Sequence, residues 1–220
     1  MARYFTADHH LGHFKILKYQ ADTRPYESLH DMNVALTELW NADVGPEDVV
    51  HHLGDLCFGA LSSAVRFISR LNGKIKITPG NHDYWLHDYE KKQRADSSYI
   101  IQSASGHSLE VMPLYHDIRI NSKIVTLCHY PMRSWKASYY GSWHLHGHVH
   151  RQVAPWGMSM DVGIDQNKGR LYSEGDIVER MEGLNKANTE ERENVSVHMS
   201  DVPEDSVPSD DTLPLRLGDT

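Results

Sequence analysis

Nine side chains of this 220-residue chain could serve one chemistry: Asp8, His10, Asp55, Asn81, His82, Asp83, His129, His148 and His150. Carboxylates and imidazoles together suit borderline divalent ions such as manganese, iron, nickel or zinc, and an amide oxygen adds a neutral ligand. A carboxylate can also bridge two ions. Two cations about 3.5–4 Å apart can share a hydroxide and clamp both ends of an in-line displacement at phosphorus. Histidine is abundant, at 16 residues, and it clusters at 9–13, 51–52 and 144–150.

These residues need elements that bring them together, and each cluster directly follows a segment that reads as a β-strand. Arg3–Ala7 precedes Asp8 and His10, Glu47–Leu53 precedes Gly54-Asp55, and Gly73–Thr78 runs into Pro79-Gly80-Asn81-His82-Asp83. Lys123–Cys128 ends at His129, and His144–His146 ends at Gly147-His148-Val149-His150. Between the first three strands, Leu29, Met32, Leu36, Leu39 and Trp40 keep a helical period over Ser28–Asp43. Leu61, Val65, Ile68 and Leu71 do the same over Ala60–Leu71. Ser28 and Asp31 can cap the first helix, and Gly45-Pro46 ends it. Strands alternating with helices predict a parallel sheet, whose ligand sites lie beyond the carboxyl ends of the strands.

The second half is richer in strands: Tyr99–Ser103, Ser108–Val111, His116–Ile120, Lys123–Cys128 and Met158–Val162, with Asn121-Ser122 as a hairpin turn. The expected architecture is an α/β layered fold, a two-sheet β-sandwich flanked by helices, over residues 1–185. Past Asn185, Ser, Pro, Asp and Glu dominate, so residues 186–220 are expected to form an acidic, disordered tail.

The ordered string Asp8-His9-His10, Gly54-Asp55, Gly80-Asn81-His82-Asp83, His129, Gly147-His148-Val149-His150 resembles the signature of the calcineurin-like metallophosphoesterases. Ala7-Asp8-His9-His10-Leu11-Gly12-His13 and Cys128-His129-Tyr130-Pro131 look like the small bacterial and phage members. The resemblance implies an αββα fold and a dinuclear site. Asp8, His10 and His150 would hold one metal, Asn81, His129 and His148 the other, and Asp55 would bridge them. His82 would bind phosphate and protonate the leaving oxygen, with Asp83 orienting it. Asp83 would alternatively set the charge of His82. Two divalent ions are implied, manganese first, with iron, nickel, zinc or cobalt as alternatives. One departure is Leu56-Cys57-Phe58-Gly59, an apolar stretch where many relatives carry an acid or polar group soon after the glycine–aspartate pair.

The expected activity is a phosphodiesterase for small nucleotide diesters, with 2′,3′-cyclic nucleotides ahead of 3′,5′-cyclic and aryl diesters. A phosphomonoesterase or a nuclease is the alternative, and a binding module that has lost its metals is a third reading, opposed by the intact residue set. His13 is a candidate phosphate contact. Arg133, with Trp135, Lys136, Tyr139 and Tyr140, can hold a base by stacking and charge, or pack as an ordinary loop.

Charge narrows the partners. The formal charge is −8, and from Met181 onward ten acids face three basic residues, so the acidity belongs to the tail. A near-neutral body lacks the basic face of a duplex-binding protein. No apolar run is long enough for a membrane span and no apolar signal region opens the chain, so a cytoplasmic location is expected. Cys57 and Cys128 adjoin strands and read as buried free thiols. The oligomeric state is open.

Overall fold

The computed structural model describes residues 1–186; the acidic-tail reading therefore falls, but for Lys186, outside the described residues. Among the described residues nine strands form two sheets: β1 (Arg3–Thr6), β2 (Val49–His52), β3 (Lys74–Ile77), β4 (Glu110–Val111), β5 (Tyr115–Ile120), β6 (Lys123–Cys128), β7 (Trp143–His146), β8 (Ser159–Asp161) and β9 (Tyr172–Ser173). The first sheet has the order β4-β3-β2-β1-β9, the second β5-β6-β7-β8. β1 to β4 are parallel, as the alternation with helices predicts, and β9 is antiparallel. In the second sheet β6, β7 and β8 are parallel, and β5 joins β6 through the predicted hairpin.

The helices are α1 (Ile16–Tyr19), α2 (Leu29–Asp43), α3 (Leu61–Ile68) and α4 (Trp85–Ala95), and residues 174–186 are also helical. Ser28 caps α2 by accepting the amide of Asp31 at 3.1 Å. One face of α2 buries Met32, Leu36 and Trp40 against Val50, Ile75 and Ile77 of the first sheet, joined by Ala64 and Ile68 of α3 and Trp85 and Tyr89 of α4. A second core lies between the sheets, with Phe5 and Leu53 facing Val125, Leu127, Leu145 and Met160. Ile177 and Met181 of the last helical segment close it. Alternation along a strand puts Tyr4 against the first core and Phe5 in the second. The fold is thus two sheets flanked by helices.

Two expectations are corrected, and helix α4 is an addition. Tyr99–Ser103 is not a strand: it touches its neighbour only through the bridge Gln102↔Ser108, because the chain reverses at once, with Ser103 N donating to His107 O. Its apolar content serves anchoring, through Ile101 buried in the first core. Helix α4 was not expected, since its buried residues are embedded in charged ones. Cys57 is buried, but Cys128 is only half-buried, and both are free. Among the described residues no helix is long and apolar enough to cross a membrane.

Candidate functional site

All five predicted loops arrive at one place, the carboxyl ends of β1, β2 and β3 in one sheet and of β6 and β7 in the other. Hydrogen bonds tie these ends together across the two sheets. His148 N donates to Asp8 Oδ2 at 2.9 Å, and His129 Nδ1 meets the Leu53 carbonyl at 2.7 Å. The loops crowd closely enough that side chains are excluded at Gly54, Gly80, Gly147 and Gly163. A Cβ on Gly80 would lie 2.2 Å from Asp55 Oδ1, and one on Gly147 would lie 2.5 Å from the Ala7 Cβ. Backbone strain is concentrated here as well: Asp8, His10, Asp55, His148 and His150 all have positive φ, between 45° and 73°. Such conformations cost of order 1–3 kcal/mol each and persist where the surroundings over-determine them.

Two groups of donor atoms converge, each within 4.8 Å: Asp8, His10 and His150, and Asp8, Asp55 and His129. Both are candidate metal-binding groups. Asn81 Oδ1 lies 3.0 Å from His129 Nε2, and Asp55 Oδ2 lies 3.5 Å from both His10 Nε2 and His129 Nε2. His148 joins neither group; its ring meets the edges of His129 and Tyr130, at 5.1 and 4.8 Å. The donor set fits divalent cations. Asp8 is fully buried, yet its Oδ1 has no hydrogen-bond partner, and neither does the buried His10 Nε2. Orphaned buried polar atoms are costly unless an ion or water completes them.

The electrostatics agree. Burial raises the Asp8 carboxyl to about 7, against the pull of His150 and His129. Burial also works against ionised Asp55, but His129 and His10 outweigh it and hold that carboxyl below its usual range. Burial lowers the His129 imidazole, while Asp55 and Asp8 raise it, for a net rise to about 9. The Leu53 carbonyl can only accept, so His129 Nδ1 carries a proton and Nε2 is the atom turned toward Asp55. The proton that Asp55 holds on Nε2 is the one a cation would displace.

His82 sits beside the first group, its ring 5.2 Å from His10 and 5.8 Å from His13. Its backbone N donates to Asp55 Oδ1, but its Nδ1 is buried and without a partner. Asp83 therefore does not orient the His82 ring, as the resemblance implied. Its carboxylate instead accepts the amides of Asp55, Leu56 and Gly80 and the Trp85 indole, at 2.6–3.1 Å. It builds the turn that presents Asp55. His13 stacks on Phe58 at 4.5 Å and meets His10 Nδ1 at 3.3 Å. Arg133 is exposed, with its guanidinium 4.3 Å over the Trp156 ring. His144 and His146 are packed into the protein.

Two residues escaped the sequence reading. Asp165 accepts His150 Nδ1 at 2.7 Å, which turns Nε2 of that ring away from it. The buried Arg24 donates to both oxygens of Asp165 and to the carbonyls of Asp8 and His9, joining the β1 loop to the segment after β8. Asp165 follows Gly163 beyond a predicted strand, the same glycine-and-acid signal that marked the other loops. Arg24, in a Thr-Arg-Pro loop, gave no signal.

No protein-family model matches this chain. The Gene 66 protein of Mycobacterium phage D29 is 29% identical over 181 residues, covering 74% of this chain and 87% of its own. The Gene 66 protein of Mycobacterium phage L5 is 26% identical over 196 residues, covering 79% and 91%. Among solved structures, the protein of unknown function AQ665 from Aquifex aeolicus superposes with a TM-score of 0.59 at 19% identity, covering 81% of this chain and 98% of that one. That likeness shows a common fold. A novel archaeal phosphodiesterase reaches a TM-score of 0.39 at 16% identity, covering 74% and 84%, which carries no argument about activity.

Proposed function

We propose that this chain is a phosphodiesterase that uses two divalent cations to hydrolyse small nucleotide diesters. The observation that carries the reading is the pair of overlapping donor groups sharing Asp8, set beside an imidazole with an uncommitted buried nitrogen. Asp8, His10 and His150 would hold one cation, and Asn81, His129 and His148 the other, with Asp55 between. When bound, such a pair supplies positive charge for a phosphate and lowers the pKa of a water.

The chain's own residues then do three things. Asp165 and the Leu53 carbonyl each take an Nδ1–H, which aims Nε2 of His150 and of His129 at the site. Asp83 fixes the turn that carries Asp55. His82 delivers a proton to the leaving oxygen as the water oxygen, its own proton lost to solvent, bonds to phosphorus and the ester bond breaks; His82 then regains a proton from solvent. A ribose hydroxyl is a poor leaving group, so that proton matters. A strained 2′,3′-cyclic ring lowers the barrier before the protein acts, which makes cyclic nucleotides the first substrates to assay.

The test is a panel with the manganese-loaded chain: 2′,3′-cyclic AMP, 3′,5′-cyclic AMP, bis(p-nitrophenyl) phosphate, a phosphomonoester and single-stranded DNA. AMP from the cyclic substrates, with slower action on the others, is expected. Phosphate release from the monoester alone would make the chain a phosphomonoesterase, and degradation of DNA alone a nuclease.

A further inference from the structure

A part-exposed aromatic ring lies beside each donor group, and the two rings come from loops of different sheets. Phe58 follows β2 and is 39% exposed. Its ring stacks on His13, which lies 5.3 Å from the His10 ring of the first group, and it is 5.9 Å from His82. Tyr130 follows β6 and is 44% exposed. Its ring lies 5.0 Å from His129 of the second group and 4.8 Å from His148. Neither ring belongs to either hydrophobic core.

Building on the diesterase reading, we infer that Phe58 and Tyr130 are stacking seats for the two groups flanking the phosphorus, and that the site favours a linear diester joining two nucleosides. A monoester has one organic arm, and a cyclic mononucleotide has one base; only a linear dinucleotide fills both seats. Stacking on an aromatic ring suits any base, since each has a π-face, and changes affinity by about 5- to 150-fold per base. A short substrate is favoured over a long strand because two basic side chains beside the donor groups are already engaged: Arg151, next to His150 in the chain, pairs with Asp22, and Arg24 is buried on Asp165. The strained ring of a cyclic nucleotide speeds its chemistry, whereas the second seat tightens binding, so the two preferences appear in different constants.

Calorimetric binding to the full chain with manganese tests this, using two slowly hydrolysed analogues: dithymidine phosphorothioate, with two bases, and thymidine 3′-O-methyl phosphorothioate, with one. The two-base analogue should bind about 5- to 150-fold more tightly. Phe58→Leu and Tyr130→Leu should each weaken it by a similar factor, and only one of them should weaken the one-base analogue. Tyr130→Phe keeps the ring and should retain wild-type affinity, which separates stacking from damage to the His129 loop. Equal affinity for the two analogues, or Leu variants within twofold of wild type, would overturn the inference. Hydrolysis of bis(p-nitrophenyl) phosphate on the same preparation reports the reaction separately. A two-base preference without hydrolysis leaves the seats standing and removes the diesterase reading; hydrolysis without the preference does the reverse.

Discussion

His82 is the side chain whose role can be tested most sharply, because its ring adjoins the donor groups without belonging to either. His82→Ala should retain metal while slowing hydrolysis of an alkyl diester by about 10²–10⁴-fold, the usual worth of general acid–base catalysis. The loss should shrink for a p-nitrophenyl leaving group, which departs without a proton; equal losses on both would remove the general-acid role. Asp55 is expected to behave differently, since its Oδ2 lies 3.5 Å from an imidazole of each group. Asp55→Ala should lose both metals by elemental analysis, together with activity; two bound metals with normal turnover would contradict the bridging role proposed for it. Asp165 belongs to neither group but fixes the His150 ring. Asp165→Asn should weaken metal affinity by about 10–100-fold, as loss of a carboxylate behind a ligating imidazole does. Retention of wild-type affinity in a metal titration would make that contact purely structural.

At the scale of elements, the turn after β3 matters more than the strand itself. Gly80 donates its amide to Asp83, and it faces Asp55 so closely that a methyl group would overlap Oδ1. Gly80→Ala must therefore push the β2 and β3 loops apart, at about 1–3 kcal/mol of stability by analogy with overpacked cores. The displaced carboxylate is Asp55 itself, so metal binding should fall together with the urea midpoint. A variant with an unchanged midpoint and full metal content would mean that the two loops relax freely.

For the molecule as a whole, the important feature is how many imidazoles are packed away uncharged. Burial is the first cause lowering His51 and His52 to about 3 and His144 to about 4. In the unfolded chain these groups take up protons below about 6.5. There the unfolded state binds more protons than the folded one, so stability rises with pH and falls on acidification from 6.5 toward 4. The raised carboxyls of Asp8 and Asp83 act in the opposite sense and offset part of this. His129, raised to about 9, contributes stability fully present below 6.5 and lost as pH rises through 9. A single-site comparison isolates one term. His51 stacks on Phe5 at 5.2 Å, and His51→Phe keeps an aromatic ring there without a titrating nitrogen. With metal removed by EDTA, the unfolding free energy of the variant relative to wild type should increase by about 1 kcal/mol between pH 6.5 and 5.5. A difference independent of pH would show that His51 titrates normally in the folded protein.

How far the sequence reached depended on how local each signal is. The strand–helix alternation, the α2 cap at Ser28, the hairpin at Asn121-Ser122 and the placing of Asp8, Asp55, Asn81, His129 and His150 at strand ends were all legible. They rest on periodicity, on turn chemistry and on the rule that parallel strands gather their carboxyl ends. Helix α4 was lost because Trp85, Leu86 and Tyr89 are scattered among charges. The helix over 174–186 was lost although Ile177, Met181 and Leu184 keep a helical spacing. Tyr99–Ser103 was misread because an apolar run looks alike whether it pairs as a strand or anchors a loop. Only the tertiary structure decided that Asp83 serves the Asp55 turn rather than the His82 ring, that Arg24 and Asp165 stand behind His150, and that Phe58 and Tyr130 border different donor groups. Those contacts join segments up to 141 residues apart, as Arg24 and Asp165 are. Propensity and spacing act over a few residues, so partners brought together by packing two sheets leave no mark in either segment alone.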